Sequence, residues 1–526
     1  MTVMPALLVA VPIAGAGLLW LARRRLAREH WAGSVATAAL LSGIVIVAGW
    51  LAMPSQFALS SWRPSTLFQA RIDLVLDSSS WMLVLGSSML LLSALLTSAA
   101  RPGSSNATTR SLSLVYTALA IAAFQAANLL TVILFWTLAD GLSFFVLVSE
   151  ADNIATVRGL IRRFGVQSAS ILLVMAAAVS ASEGVQEIIE GAQPALLGAA
   201  VLLRVGLWPL HVGLPQLPGV RRGMGALVRL FPPAMALALL GRFLPGDTPV
   251  WVRATLLLLA AASILIGGFR WTSAWDPVQA RPYLVLCFAG LGVAAAYGAV
   301  PVGREAAIAT AFGMLIVGGA ISQAVLHESW HRWLLVLVGL LASGMPYSPI
   351  HRSLLMLSEV GPLEPVLTLV VVMTWVGLLL IAAGMFRLSR RPLVEWESGE
   401  GFVRSAYALG LFGLIGAVVP VAVRLAEPRP NLLSSLSFAV VVGLATFLAF
   451  QSFPWLQSAI QGGAKLADGL ATNADRFAES TFSVGLNAAA KGVRGLGAVF
   501  EGKAALLWVY VFVLMAALLL SGTGGG

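Results

Sequence analysis

The chain has 526 residues, of which 59% are hydrophobic and 11% are charged, less than half of the roughly 25% charged residues usual in soluble domains. This composition excludes a soluble globular protein and a disordered chain. The net charge of +10 indicates contact with a membrane surface and not with nucleic acid, because most basic residues lie in the short segments between apolar stretches.

Sixteen apolar stretches have about the 20 residues that a helix needs to cross a bilayer. In chain order they lie at residues 3–22, 34–53, 81–99, 111–127, 129–148, 165–183, 195–213, 224–243, 251–269, 282–300, 305–326, 333–357, 362–386, 405–423, 436–455 and 504–521. The loops after odd-numbered spans hold 23 of the 33 basic residues, and the other loops hold eight. Because basic loops stay in the cytoplasm, the sequence predicts a multi-pass protein of a bacterial-type inner membrane with both termini outside.

The spans divide the chain into six predicted segments. Residues 456–503 are too polar to cross a membrane, and we expect a cytoplasmic lateral amphipathic helix of about 70 Å; a solvated linker is the alternative. The segments are the N-terminal spans (1–110), a first five-helix repeat (111–243), a second five-helix repeat (251–386), spans 14 and 15 (387–455), the lateral segment (456–503) and a final span with its tail (504–526).

Two spans contain residues that interrupt a helix, and they lie five spans apart. Span 7 contains Pro209 and Pro215, and span 12 contains Gly344, Pro346 and Pro349. Backbone groups freed at membrane depth need a protein or water-filled surrounding. Interrupted spans at corresponding positions are typical of inverted repeats, and five is an odd number, so spans 4–8 and 9–13 are predicted to have opposite orientations.

Ionisable residues inside predicted spans are candidates for an ion pathway, because burying them in a membrane is costly. Each has a structural alternative. Asp140 and Arg204 could form a buried structural pair, His211 could bind freed carbonyl groups, Arg229 could extend to an interface, and the residues of span 12 could lie near the outer surface. The candidates are Asp140, Arg204, His211, Arg229, His351, Arg352 and Glu359.

The first 464 residues contain no lysine. A buried lysine can lose its proton, whereas an arginine cannot. A proton relay through spans 7 and 8 would therefore depend on His211, water or carboxylates. Cys287 is the single cysteine, and His327 and His331 are the only histidines two to five residues apart, so we expect no metal site and no cofactor.

Three of these spans carry the motifs of a known family. They read Arg204-Val-Gly-Leu-Trp-Pro-Leu-His211 in span 7, Gly225-Ala-Leu-Val-Arg229 in span 8 and Gly344-Met-Pro346 in span 12. The chain resembles the antiporter-like subunit family, which includes large membrane-arm subunits of complex I, hydrogenase relatives, Mrp-type antiporters and the membrane subunit of DAB-type inorganic carbon transporters. The resemblance covers roughly residues 70–390, and the C-terminal part also looks like the largest complex I antiporter-like subunit.

The sequence departs from the family at the residues that move protons. Thr137 stands where the family has a glutamate, with Asp140 about one turn later, and Arg204 and Arg229 replace a lysine and a histidine or lysine. The family's histidine and lysine of span 11 are absent.

The resemblance implies an all-α membrane subunit that moves protons or small cations beside other membrane subunits, without catalytic chemistry of its own. Three functions stay open: a subunit of a complex I-like assembly with a soluble redox partner, a carbon transporter subunit with a zinc-bearing partner, and a non-conducting structural subunit.

Overall fold

The computed structural model describes most of the chain up to residue 473. The described residues are 3–23, 30–59, 71–100, 107–151, 153–180, 192–210, 222–244, 246, 248–274, 277–298, 303–358, 365–396, 401–424, 438, 440–446, 458, 461–466, 469–470 and 472–473. The second compact unit of the chain, Thr472–Gly526, lies almost entirely outside them.

Helices make up nearly all of this part of the chain. They are α1 (Met4–Ala22), α2 (His30–Leu51), α3 (Ser78–Thr97), α4 (Ala107–Phe124), α5 (Leu129–Ser149), α6 (Ile154–Ser180), α7 (Ala192–Val205), α8 (Arg222–Phe243), α9 (Val250–Ser273), α10 (Pro277–Gly298), α11 (Gly303–Gln323), α12 (Ser329–Ala342), α13 (Pro349–Ser358), α14 (Pro365–Ser389), α15 (Gly401–Gly416) and α16 (Val418–Arg424). One antiparallel hairpin, β1 (Ser55–Leu59) with β2 (Ile72–Leu76), follows α2, and its register pairs Phe57 with Leu74.

Twelve segments are long and apolar enough to cross a membrane, with α15 and α16 counted together. They correspond to predicted spans 1–6, 8–11, 13 and 14. Two shorter apolar helices, α7 and α12, occupy the positions of spans 7 and 12. The all-α, multi-pass architecture is therefore confirmed. Span 16 lies outside the described residues, and span 15 and the lateral segment 456–503 lie largely outside them, so the total of sixteen stays a prediction.

The central helices are buried on nearly all sides, whereas peripheral helices present apolar side chains outward. Nearly every residue of α11 is buried, while α1 exposes Leu18 and Leu21. Small residues allow close helix contacts, as expected in a membrane. A Cβ atom at Gly267 in α9, for example, would lie 2.6 Å from the carbonyl oxygen of Tyr283 in α10.

Loops that follow even-numbered spans contact each other, and so do segments next to loops that follow odd-numbered spans, as the predicted topology requires. At one end, Arg242 at the end of α8 donates to Asp77 before α3 at 2.9 Å and to the carbonyl of Ala126 after α4 at 2.7 Å. At the other end, the indole of Trp31 before α2 donates to the carbonyl of Leu95 near the end of α3 at 2.9 Å. Loops of one predicted set thus meet each other, as an unbroken alternation of spans requires.

Candidate functional site

The seventh span is interrupted at Gly206, three residues before Pro209. Gly206 has a φ of 71°, in the left-handed region that glycine adopts without a steric penalty. The N–H groups of Gly206 and Leu207 both donate to the carbonyl of Leu202, at 3.1 and 3.2 Å, and so close the end of α7. The helix ends at Val205, four residues before Pro209, whose missing N–H group and ring disfavour a helix through this point. The role of Pro209 in the break stays a prediction. Pro215 lies outside the described residues.

The twelfth span is interrupted in the same way. Gly344 has a φ of 85°, and the N–H of Met345 donates to the carbonyl of Leu340 at 3.1 Å. Pro346 lies in the turn that follows, and Pro349 is the first residue of α13. α7 and α12 have 14 residues each, so both predicted repeats contain a short fourth helix that ends in the same glycine motif.

Asp140 and Arg204 form an ion pair in the interior of the helix bundle. The Nη1 and Nη2 atoms of Arg204, in the last turn of α7, donate to the two carboxylate oxygens of Asp140 in α5 at 2.7 and 2.9 Å. The two side chains are 0% and 2% exposed. The Arg204 guanidinium also lies 3.9 Å from the ring centroid of Trp136, one turn before Asp140. Such parallel two-point contacts fix the orientation of both groups.

A cavity of about 80 Å³ lies next to Arg204, with room for several water molecules. Its polar lining residues are three arginines and one glutamine from α6, α7 and α8, although the Arg204 side chain itself is 0% exposed. The lining residues are Arg163, Val166, Gln167, Leu203, Arg204, Val205, Gly206, Arg229, Pro232, Pro233, Pro282 and Val285.

A proline in α8 shapes one wall of this cavity. Pro232 has no N–H group, so the carbonyl of Val228 loses its helical donor. The Arg163 guanidinium in α6 donates to that carbonyl instead, at 2.9 Å. Arg229, the next residue, lies about 10 Å along the axis from the first residue of α8 and also faces the cavity.

The structure brings three of the predicted pathway residues together and places two elsewhere. Asp140, Arg204 and Arg229 belong to the cavity region. His351 is buried in α13 against the second break, and its Nε2 atom has no hydrogen-bond partner. Arg352 pairs with Glu305, whose side chain is 57% exposed. His211 and Glu359 lie outside the described residues.

Four residues of this region were not among the sequence candidates. Arg163 was assigned to a cytoplasmic loop, but it lies nine residues inside α6, because α6 begins at Ile154 and not near residue 165. Gln167 follows Arg163 by one helical turn and therefore shares its face. Pro232 and Trp136 complete the set. The adjacent prolines 232 and 233 inside an apolar span were the signal that could have revealed a second site of freed carbonyl groups.

The described residues contain no group of three or more histidine, cysteine, aspartate or glutamate side chains that could hold a metal ion. The ionisable groups at the cavity are instead guanidiniums and one carboxylate. This arrangement can hold water, polarise it and change the charge of its surroundings when Arg204 moves, but the arginines cannot pass a proton on.

No family model and no curated protein matches the sequence. Solved structures match the fold at low sequence identity. One is a chain of the membrane-bound sulfane sulfur reductase, an archaeal respiratory membrane complex, with 15% identity, a TM-score of 0.66 and coverage of 97% of this chain and 99% of that chain. This chain shares its fold with that membrane-complex chain.

The other two structures extend the comparison. A chain of the Mrp complex from Dietzia sp. DQ12-45-1b matches with 16% identity and a TM-score of 0.67 over 99% of this chain, which spans only 63% of that longer chain. A chain of respiratory complex I from Thermus thermophilus with bound NADH matches with 16% identity and a TM-score of 0.58 over 84% of this chain and 99% of that chain. The all-α, multi-pass fold that the sequence predicted is therefore shared with chains of all three complexes.

Proposed function

We propose that this chain is an ion-translocating, antiporter-like subunit of a multi-subunit membrane complex and that the ion it moves is the proton. One observation carries the proposal: the buried Asp140–Arg204 pair lies beside a cavity of about 80 Å³ at the interrupted end of α7. The similar structures support the setting, since all three are chains of membrane complexes and two of those complexes are respiratory.

The side chains around the cavity favour a proton over a metal cation. Among the described residues, Arg163, Arg204 and Arg229 carry three positive charges and Asp140 carries one negative charge. A proton and a sodium ion would each add one positive charge here. A sodium ion also needs several oxygen ligands, which arginine side chains do not offer, whereas a proton needs only one carboxylate oxygen of Asp140.

Arg204 is the residue whose movement would be coupled to proton binding at Asp140. Its guanidinium binds Asp140, and its Nε atom is buried without a hydrogen-bond partner. The residue borders the cavity, although its side chain is 0% exposed while the pair is closed. The Arg204 guanidinium is the counter-ion of the Asp140 carboxylate while the pair is closed. When Arg204 turns toward the cavity, Asp140 loses its counter-ion and takes up a proton. Return of Arg204 expels the proton, so one side-chain movement gates one binding event.

A non-conducting subunit is the second candidate, and one observation favours it. Within the described part of residues 250–386, the buried polar side chains include Arg281, His331 and His351 but no carboxylate and no lysine. A second relay of the same kind therefore lacks an acidic partner there. In this reading the Asp140–Arg204 pair is purely structural, and the chain holds neighbouring subunits in place.

Proton flux in reconstituted vesicles separates the two candidates. The complex that contains this chain is reconstituted with a pH-sensitive dye inside, and the double variant Asp140→Asn/Arg204→Gln is compared with wild type. The double variant removes both charges and so avoids an unpaired buried ion. We expect its flux to fall to that of protein-free vesicles. Glu305→Gln, which breaks an exposed ion pair, is the control and should keep wild-type flux. Wild-type flux in the double variant would favour the non-conducting subunit.

The assembly itself is identified by co-purification. A complex I-like assembly should bring iron–sulfur subunits with the chain, whereas an inorganic carbon transporter should bring a soluble zinc protein. Metal analysis of the purified complex distinguishes them. Deletion of residues 456–503, the predicted lateral segment, should release a partner if that segment is an anchor.

A further inference from the structure

The cavity beside Arg204 has the composition of a binding site for a negatively charged ligand. Two guanidiniums line it, that of Arg163 on α6 and that of Arg229 on α8, whereas the Arg204 side chain is 0% exposed and bound to Asp140. Gln167 adds an amide group. The remaining lining residues are apolar, proline or glycine, so no carboxylate faces the cavity wall.

Two of these side chains have no partner of their own. Arg229 makes no hydrogen bond or ion pair with any described residue, although it lies about two turns inside α8. The Gln167 residue is 6% exposed, and its amide likewise has no partner among the described residues. Arg163 uses Nη2 for the carbonyl of Val228 and has further N–H groups to donate. Polar groups that lack a protein partner and converge on one cavity indicate a shared ligand.

Water alone would leave the charge of this site uncompensated. Arginine does not give up its proton, so the positive charge cannot be removed by titration. We propose that the cavity binds a small inorganic monovalent anion, held by the side chains of Arg163, Gln167 and Arg229. A cavity of about 80 Å³ accommodates an ion of one to a few heavy atoms with a little water. Chloride and bicarbonate fit this chemistry.

The anion site gives the cavity a regulatory role. An anion held by Arg163 and Arg229 would lower the positive potential around the neighbouring Asp140–Arg204 pair. Occupancy therefore changes the free energy of separating Arg204 from Asp140. This consequence rests on the proposed function, whereas anion binding itself requires no ion flux and is measured separately.

Isothermal titration calorimetry on the purified complex in detergent tests the proposal. The complex is held in sodium gluconate and titrated with sodium chloride in one arm and sodium bicarbonate in the other, at constant pH and ionic strength. We expect saturable binding of one ion per chain in at least one arm. Loss of a charged hydrogen-bond donor in Arg229→Gln should weaken this binding about tenfold or more. Gln167→Leu changes no charge and should weaken it less.

Arg158→Gln is the matched control. Arg158 is an exposed arginine of the same helix as Arg163, and it does not line the cavity, so its loss should leave the affinity unchanged. Saturation by chloride alone indicates a site for a spherical ion, and saturation by bicarbonate alone indicates a planar oxyanion. The proposal is overturned if neither anion gives saturable binding, or if Arg229→Gln and Gln167→Leu both bind as wild type does. Binding without proton flux would contradict only the proposed function, and flux without binding would contradict only the anion site.

Discussion

Breaking the Asp140–Arg204 pair from one side should destabilise the protein far more than removing both partners. Asp140→Asn leaves the Arg204 guanidinium buried without its counter-ion, and Arg204→Gln leaves the Asp140 carboxylate in the same condition. The double variant Asp140→Asn/Arg204→Gln places two neutral amides that can hydrogen-bond to each other. The two single variants and the double variant form a complete double-mutant cycle.

The magnitude follows from the geometry of the pair. Both hydrogen bonds are short, at 2.7 and 2.9 Å, and both side chains are almost fully buried. Leaving one charge of such a pair uncompensated costs about 3–5 kcal/mol. Arg204→Gln also removes the contact with the Trp136 ring, which adds about 1 kcal/mol. The double variant should lose only about 1–2 kcal/mol, because neither charge then remains buried. These values imply a coupling energy of about 3 kcal/mol or more.

Unfolding by titration with a denaturing detergent, followed by tryptophan fluorescence, measures these free energies. The control is Glu305→Gln, which breaks the pair with Arg352. The Glu305 side chain is 57% exposed, so the free energy of unfolding should change by less than about 1 kcal/mol. The reasoning is refuted if the two single variants lose no more than this control, or if their losses simply add up in the double variant.

Three further changes probe the helix breaks and loop contacts. Gly206→Ala should lower the free energy of unfolding by about 1–2 kcal/mol in the same titration, because alanine is disfavoured at a φ of 71°. Gly17→Ala is the control and should not destabilise the protein, because a Cβ atom at Gly17 meets nothing within 4 Å. Pro232→Ala restores a helical N–H donor for the carbonyl of Val228, so Arg163 should lose its acceptor. Proton flux should then fall while the circular dichroism spectrum stays unchanged. Unaltered flux would count against a role for the Val228 carbonyl. Arg242→Gln should lower the melting temperature, since about 2 kcal/mol of charged hydrogen bonds is lost at one end of the bundle.

Much of the fold could be predicted because membrane insertion depends on local composition. A stretch of about 20 apolar residues can be recognised as a span from its own sequence, without knowledge of its neighbours. The charges of the loops then indicate which loops lie on the same side of the membrane. The predicted limits of span 8 (224–243) therefore agree closely with α8, Arg222–Phe243. The start of α6 was missed, because Arg158, Arg162 and Arg163 were interpreted as loop residues although their helix begins at Ile154.

The site could be predicted only in part, because it depends on contacts between distant residues. Asp140 and Arg204 were candidates as isolated charges, but 64 residues separate them, and their pairing requires the packing of α5 against α7. The backbone conformation at the break in span 7 also depends on the folded chain. A proline announces a missing N–H group, whereas the left-handed conformation of Gly206 becomes visible only in the folded backbone.

The two breaks differ in chemistry although they share a backbone motif, and this difference locates the proposed switch. Arg204 stands two residues before Gly206, and Ala342 stands two residues before Gly344. The glycine motif is thus sufficient to end a short helix without a buried ion pair, so the Asp140–Arg204 pair is not needed to form the break. A costly buried charge that the backbone does not require is better explained by a role in ion movement than by architecture. We therefore expect variants at Ala342 that keep its size to leave flux unchanged, while variants at Arg204 abolish it.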